Sequence, residues 1–373
     1  MATKYRELVE EMLATAGIQV DGKHPFDIQI KNEDFFRRFI KDGTLGLGES
    51  YIEGWWECDS LDEMFARLVQ TNLIEVYKNR LILIFYYLRA RLSNVGRKSQ
   101  AFEIGKRHYD LGNDLFHCML DNRMVYSCAY WEGAENLDQA QEKKLDLICR
   151  KLDIQSGMKI LDLGCGWGSF IKYAAERYGV TAVGVTVSEE QVKWGKEICA
   201  GLPVEIRLQD YRDVEGKFDC VVAIGMIEHV NYKNYKKLFK LINNSLTDNG
   251  MFLLQTIGLN KTMLAPDPWF EKYIFPNSML PSIKLIGESI EDLFVMEDWQ
   301  NFGTDYDKTL IAWHQNFLNN WEKLRNNYSD RFFRMWKYYL LMCAGLFRGR
   351  FVQLWQVVLS KNGIPEGYHR NIH

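Results

Sequence analysis

The 373-residue sequence lacks the marks of a secreted, membrane-spanning or metal-stapled protein. Its eight cysteines, at 58, 118, 128, 149, 165, 199, 220 and 343, include no Cys-x-x-Cys pair. That scatter offers neither a zinc site nor a disulfide framework and suits a reducing compartment. No run reaches the roughly 18 apolar residues of a membrane span, and the nearest, residues 81–88, is too short. The opening Met-Ala-Thr-Lys-Tyr-Arg-Glu has no signal-peptide apolar core, so a cytoplasmic, soluble chain is expected. Basic residues are not in excess: 46 Lys and Arg against 49 Asp and Glu leave −3, which argues against nucleic acid as a partner. Internal repeats and low-complexity tracts are absent too, and 47% hydrophobic residues exclude disorder over most of the length.

Aromatic residues, by contrast, are plentiful: 11 Trp, 19 Tyr and 21 Phe. Core filling accounts for most of them. A surplus would also suit a pocket that holds a lipid tail or shelters a positive charge with ring faces.

Residues 1–92 read as a small, mostly helical N-terminal domain. Phe35, Phe36, Phe39 and Ile40 recur at helical spacing, and Gly43, Gly46 and Gly48 are expected to break that pattern before Trp55-Trp56. A long helix is expected over 73–92, followed by a polar linker over 93–107. Residues 108–373 then alternate strand and helix, the signal for a doubly wound α/β sheet covered on both faces. Strands are expected at 158–163, 181–187, 204–208, 218–224 and 251–257, with helices at 169–178, 189–199 and 232–246. After Ile257 the alternation lapses for almost 40 residues containing Pro266, Pro268, Pro276 and Pro281. Such an insertion is more often a lid or pocket wall than an idle loop. Strands at 295–302 and 351–360 close the sheet around two aromatic-rich helices.

The most informative stretch is Ile160-Leu-Asp-Leu-Gly-Cys-Gly-Trp-Gly-Ser-Phe170. An apolar strand ends in Asp162, and Gly164, Gly166 and Gly168 leave a loop nearly bare of side chains. A dinucleotide site prefers Gly-x-Gly-x-x-Gly. The spacing here, after an acid, suits a ligand with a charged amino-acid end and a nucleoside end, as S-adenosylmethionine has. The plainer alternative is a tight glycine turn. Ligands of open parallel sheets bind beyond the C-terminal strand ends, which brings in Thr186 and Gln191, Asp210 and Tyr211, Glu228-His229 and Gln255. Thr186 and Gln191 stand where an acid would grip ribose hydroxyls, and Asp210-Tyr211 are placed to bracket an adenine. Cys128, within Tyr126-Ser-Cys-Ala-Tyr-Trp131, reads in isolation as a buried structural thiol, and Glu228-His229 as a helix cap or a cofactor neighbour.

Taken together, Tyr126–Trp131, the glycine segment 162–168, Gly225-Met-Ile-Glu-His-Val230, Tyr273-Ile-Phe-Pro-Asn277, Asn301-Phe-Gly-Thr-Asp-Tyr306 and Leu354-Trp-Gln-Val-Val358 resemble the cyclopropane-fatty-acyl-phospholipid synthases. Leu45–Tyr51 and Gly54–Cys58 extend the resemblance to the N-terminal domain. It implies an S-adenosylmethionine-dependent methyltransferase (Rossmann-like) fold. The implied activity is transfer of a methylene to the cis double bond of a membrane phospholipid's acyl chain, by a homodimer peripherally associated with the inner membrane face.

The resemblance also implies site residues. Tyr126, Ser127, Asp162, Gly164, Gly166, Gly168, Thr186, Gln191, Asp210 and Tyr211 would bind the donor. Cys128, Glu228, Tyr306 and the backbone at Ile257 would cradle a bicarbonate that accepts a proton, with no metal. Gln255 replaces the family's histidine; it can donate to an anion but not accept a proton at neutral pH. Cys343 also belongs to the pattern, although no step needs a covalent thiol and packing is its expected role. Two alternatives accompany this reading: a lipid methyltransferase that leaves a methyl branch without closing a ring, and a catalytically silent lipid-binding relative. Lys233, Lys236, Lys237 and Lys240 form one basic stripe, and Arg331, Arg334, Lys337, Arg348 and Arg350 a second, as candidate contacts for anionic headgroups.

Overall fold

A computed structural model describes residues 2–71 and 112–371. The helix expected over 73–92 and the linker over 93–107 lie outside these described residues. The chain opens with α1 (Ala2–Thr15), β1 (Gln29–Ile30), α2 (Asp34–Ile52), β2 (Trp56–Glu57) and α3 (Leu61–Gln70). Helices α4 (Asn113–Met119) and α5 (Leu137–Lys151) precede an alternating run. That run is β3 (Lys159–Leu163), α6 (Ser169–Tyr178), β4 (Thr181–Thr186), α7 (Glu189–Ile198), β5 (Val204–Leu208) and β6 (Phe218–Ile224). Helix α8 (Tyr235–Ser245) leads into β7 (Leu246–Gly258). Where the alternation lapses stand two short helices, α9 (Pro268–Tyr273) and α10 (Ile283–Ile290). Strand β8 (Val295–Asn301), helices α11 (Gly303–Leu324) and α12 (Asp330–Arg348), and strand β9 (Gln353–Ser360) complete the order.

These elements gather into two compact units, neither of them one run of sequence. Among the described residues, the first combines 2–71 with Leu264–Pro276 and Tyr306–Gln353; the second holds 112–263, Asn277–Asp305 and 354–371.

The first unit is helical around an aromatic core. The ring of Tyr338 on α12 packs against Tyr51, Trp56, Phe65 and Trp269, with centroids 4.8 to 6.5 Å apart. The indole N–H of Trp56 donates to the Leu47 carbonyl and to Ser50 Oγ, which satisfies its one polar atom inside this core. The glycine reading of α2 needs correction. Only Gly43 leaves the helical region (φ 59°, ψ −133°), and it kinks α2 without ending it. Gly46 and Gly48 remain helical, and a Cβ on Gly48 would lie 2.3 Å from Trp269, so that glycine serves close packing instead. Two members of the second basic stripe are engaged in ion pairs. Arg348 is held by Asp62 at 2.7 Å and Asp307 at 3.0 Å, and Arg334 pairs with Glu57 at 2.8 Å while donating to the Tyr51 carbonyl. These two charges tie elements of this unit together.

The second unit is built on a seven-stranded sheet in the order β5-β4-β3-β6-β7-β9-β8. The pairings β5-β4, β4-β3, β3-β6 and β6-β7 are parallel, and β8 runs antiparallel to β9. From β3 the chain steps outward to β4 and β5 and then returns to β6. The loop after β3 therefore sits where strand order reverses, the position that leaves a crevice open for a ligand. Leu145, Ile148, Ile160, Phe170, Ile171, Val222 and Leu253 anchor the core, with helix and sheet residues interleaved. On α8, Tyr235, Leu238, Phe239 and Ile242 are buried while Lys233 (just before it), Lys236, Lys237 and Lys240 are exposed.

Candidate active site

The segment after β3 turns through three left-handed glycines, Gly164 (φ 80°), Gly166 (φ 55°) and Gly168 (φ 88°). Side chains rarely adopt this backbone. The bare loop borders a small cavity of about 90 Å³ that opens toward solvent. Of the donor residues implied by the resemblance, Tyr126, Ser127, Asp162, Gly164, Gly166 and Gln191 line it together. Gly168 supplies the bend into α6. Thr186 Oγ1 lies 2.6 Å from Gln191 Oε1, so the two residues expected to replace a ribose-binding acid do meet. Asp210 and Tyr211 are not among the lining residues. Both Asp210 oxygens are taken by the Arg212 guanidinium, at 2.6 and 2.7 Å, in the short turn after β5.

Two lining or supporting residues escaped the sequence reading, and both come from α5. Gln141 and Lys144 are fully buried, and they clamp the 125–127 segment from beneath. Gln141 Nε2 donates to the Ser127 carbonyl at 2.9 Å, and Lys144 Nζ donates to Ser127 Oγ at 3.0 Å. A signal was available. Leu137, Ala140, Gln141, Lys144, Leu145 and Ile148 follow the i, i+3/i+4 rhythm of an inward face, so Lys144 interrupts an apolar stripe. Asp121 secures the same segment by accepting the Arg123 and Val125 amides at 2.9 Å.

The charges in this cavity perturb one another. Burial lifts Asp162 to about 7 against the pull of Lys144, and burial lowers Lys144 to about 8 while Asp121 and Asp162 oppose it. One Asp162 oxygen, Oδ1, has no hydrogen-bond partner although the residue is 2% exposed.

Four of the residues implied for the proton-accepting step also come together, in the second unit. Glu228, in the turn after β6, accepts the Ile257 amide on Oε1 at 2.8 Å. Its other oxygen is buried without a partner. Burial raises Glu228 to about 7, with the Ile257 amide holding it back. Gln255 Nε2 reaches the Cys128 carbonyl at 3.4 Å, and Gln255 Oε1 accepts from Gln356 Nε2 at 2.9 Å. Cys128 Sγ itself donates to the Ala129 carbonyl at 3.2 Å. The cluster adjoins the cavity through the backbone: Ser127 lines one and Cys128 belongs to the other, and Gly225 lines the cavity three residues before Glu228. His229 is driven down to about 4 by burial and stays neutral at physiological pH.

Tyr306 and Cys343 fall in the first unit. Tyr306 packs at a tilt against Phe347, with centroids 4.6 Å apart, and meets Trp313 edge-on at 5.8 Å. Burial pushes the Cys343 thiol far up, which makes it a poor nucleophile.

This strand order, with a glycine loop at the switch point and a buried acid beside an open cavity, defines an enzyme of the S-adenosylmethionine-dependent methyltransferase class. A family model described as mycolic acid cyclopropane synthetase matches residues 96–357. The cyclopropane-fatty-acyl-phospholipid synthase of Escherichia coli (strain K12) is 52% identical over 96% of this chain and 94% of its own length. Tuberculostearic acid methyltransferase UfaA1 of Mycobacterium tuberculosis (strain H37Rv) is 32% identical over 88% of this chain and 82% of its own length. Among solved structures, mycolic acid cyclopropane synthase CmaA1, complexed with SAH and CTAB, is 30% identical with a TM-score of 0.65, over 70% of this chain and 98% of that one. The chain belongs to the mycolic acid cyclopropane synthetase family.

Proposed function

We propose that this protein transfers a methylene from S-adenosylmethionine to the cis double bond of an unsaturated phospholipid acyl chain, closing a cyclopropane. The observation that carries the reading is Glu228: a buried carboxyl with one oxygen on a backbone amide and the other unpartnered, one short loop from the donor cavity. The donor fits because Asp162 offers an orphaned oxygen to an ammonium group and the glycine loop gives a nucleoside bare backbone to lie against. S-adenosylmethionine supplies the methyl, and bicarbonate supplies a base for the one proton that methyl must lose as the second C–C bond forms. A small anion fits the Glu228 cluster on similar grounds. At its raised pKa Glu228 is substantially protonated near neutrality and can donate from Oε2, and Gln255 brings an amide N–H.

Cys128, Glu228, Gln255 and Ile257 would hold the anion, with Tyr306 joining on the resemblance alone. An alkene that accepts a methyl becomes a carbocation, and water would trap it, so the burial of this cluster is functional in itself. Of the donor residues, Asp210 and Tyr211 would act at the nucleoside end, on resemblance. The protein acts as a homodimer at the inner membrane face. The exposed lysines of α8 support that attachment, at about 1 kcal/mol per charge near an anionic surface. Among the described residues no helix is long and apolar enough to cross a membrane.

A second reading, methyl transfer without ring closure, is favoured by one contact set. The Gln255 amide accepts from Gln356 and donates to Cys128, and an amide cannot take up a proton. The deciding experiment incubates the protein with S-adenosylmethionine, bicarbonate and vesicles of cis-unsaturated phospholipid, then records S-adenosylhomocysteine and the proton NMR of the extracted lipid. Upfield cyclopropyl protons are expected. Homocysteine-containing product without them rejects ring closure, and no product at all rejects both readings in favour of a silent binding protein.

A further inference from the structure

Lysine is almost never fully buried unless something opposite in charge or rich in acceptors awaits it. Lys144 is 1% exposed, lines the donor cavity, and places its Nζ 3.0 Å from Ser127 Oγ. The acids that balance it electrostatically are Asp121 and Asp162. Asp121 has already committed one oxygen to the Arg123 amide and the other to the Val125 amide. Asp162 lines the same cavity and keeps Oδ1 unpartnered. The cavity floor thus carries one buried cation and one buried anion, each with capacity left over. An α-amino-acid end has the inverse pair, an ammonium and a carboxylate on one carbon.

We propose that Lys144, with the Ser127 hydroxyl, is the counter-charge for the carboxylate of the donor's amino-acid end, while Asp162 receives its ammonium. The inference rests on the S-adenosylmethionine reading of the cavity and extends it to a residue on α5. Burial that displaces both groups toward their neutral forms fits this role. A zwitterion arriving between them restores full charge on each side, so the site favours a ligand bearing both charges over one bearing either alone.

The test uses the full chain and two ligands, S-adenosylhomocysteine and its decarboxylated counterpart, which keeps the amine and loses only the carboxylate. Calorimetric titration of the wild type is expected to show the first binding about ten- to a hundred-fold tighter, as for a charge-assisted hydrogen bond. Lys144→Met should erase that preference by weakening S-adenosylhomocysteine alone, and Lys144→Arg should recover part of it. Equal weakening of both ligands in Lys144→Met means the lysine merely supports the fold and overturns the proposal. If that variant does not fold, the wild-type ratio decides: equal affinities overturn it. Binding of neither ligand by the wild type removes the donor reading, and this inference with it.

Discussion

Two carboxyl groups in the second unit are displaced alike and equipped differently. Asp162 and Glu228 are both buried, both raised to about 7, and both left with one orphaned oxygen. Asp162 has a lysine in electrostatic reach, whereas Glu228 has only backbone and hydroxyl donors around it. A carboxyl beside a cation regains its charge readily when an ammonium approaches. At Glu228 burial alone raises the carboxyl, and the neutral donors around it oppose that shift by stabilising the charged form. On the proposed function, the same perturbation would serve a ligand-binding acid in one place and an anion-binding acid in the other.

The contrast can be broken most sharply at Glu228. Glu228→Gln should reduce turnover by about 10²–10³, by analogy with loss of an oxyanion donor, and leave S-adenosylmethionine affinity nearly unchanged. Unchanged turnover would take Glu228 out of the mechanism. Asp162→Asn should do the reverse, weakening donor binding about ten- to a hundred-fold by titration, with a smaller effect at saturating donor.

Smaller effects sharpen the comparison. Glu228 has a higher pKa in the fold than in the unfolded chain, so folding loses stability as pH rises from about 4.5 and the loss is complete above about 7. Glu228→Gln should therefore melt a few degrees higher than wild type at pH 8, with the gap nearly closed at pH 5. A gap that does not vary with pH would refute the raised pKa. Gln255→His should leave activity the same or modestly higher and alter its bicarbonate dependence. Abolished activity would mean that Gln255 does more than position the anion.

Much of the second unit was legible because strand and helix alternate in period. The elements at 204–208, 218–224 and 169–178 coincide with those expected to the residue. Strand β7 begins five residues earlier than expected, at Leu246. Thr247-Asp-Asn-Gly250 has the composition of a turn, yet Leu246 pairs with Phe218 across an irregular register. The glycine turn after β3 was legible because glycines at fixed offsets from a strand-terminal acid leave little else to build. Lys144 was hidden because lysine on a helix ordinarily reads as solvated, and only its phase against Ala140, Gln141 and Ile148 betrays it. The pairing of Arg348 with Asp62 and Asp307 was hidden for a different reason, since those partners lie far apart in sequence.

The burial of the cysteines bears on chemical tolerance. Burial holds the thiols of Cys58, Cys149, Cys165, Cys199, Cys220 and Cys343 above the ordinary cysteine range. Alkylating and oxidising agents attack thiolates, so these side chains resist both while the native packing lasts. Slow inactivation by a maleimide that quickens sharply on warming would then report transient opening of the interior, and such reagents would serve as gauges of breathing motions before they served as inhibitors.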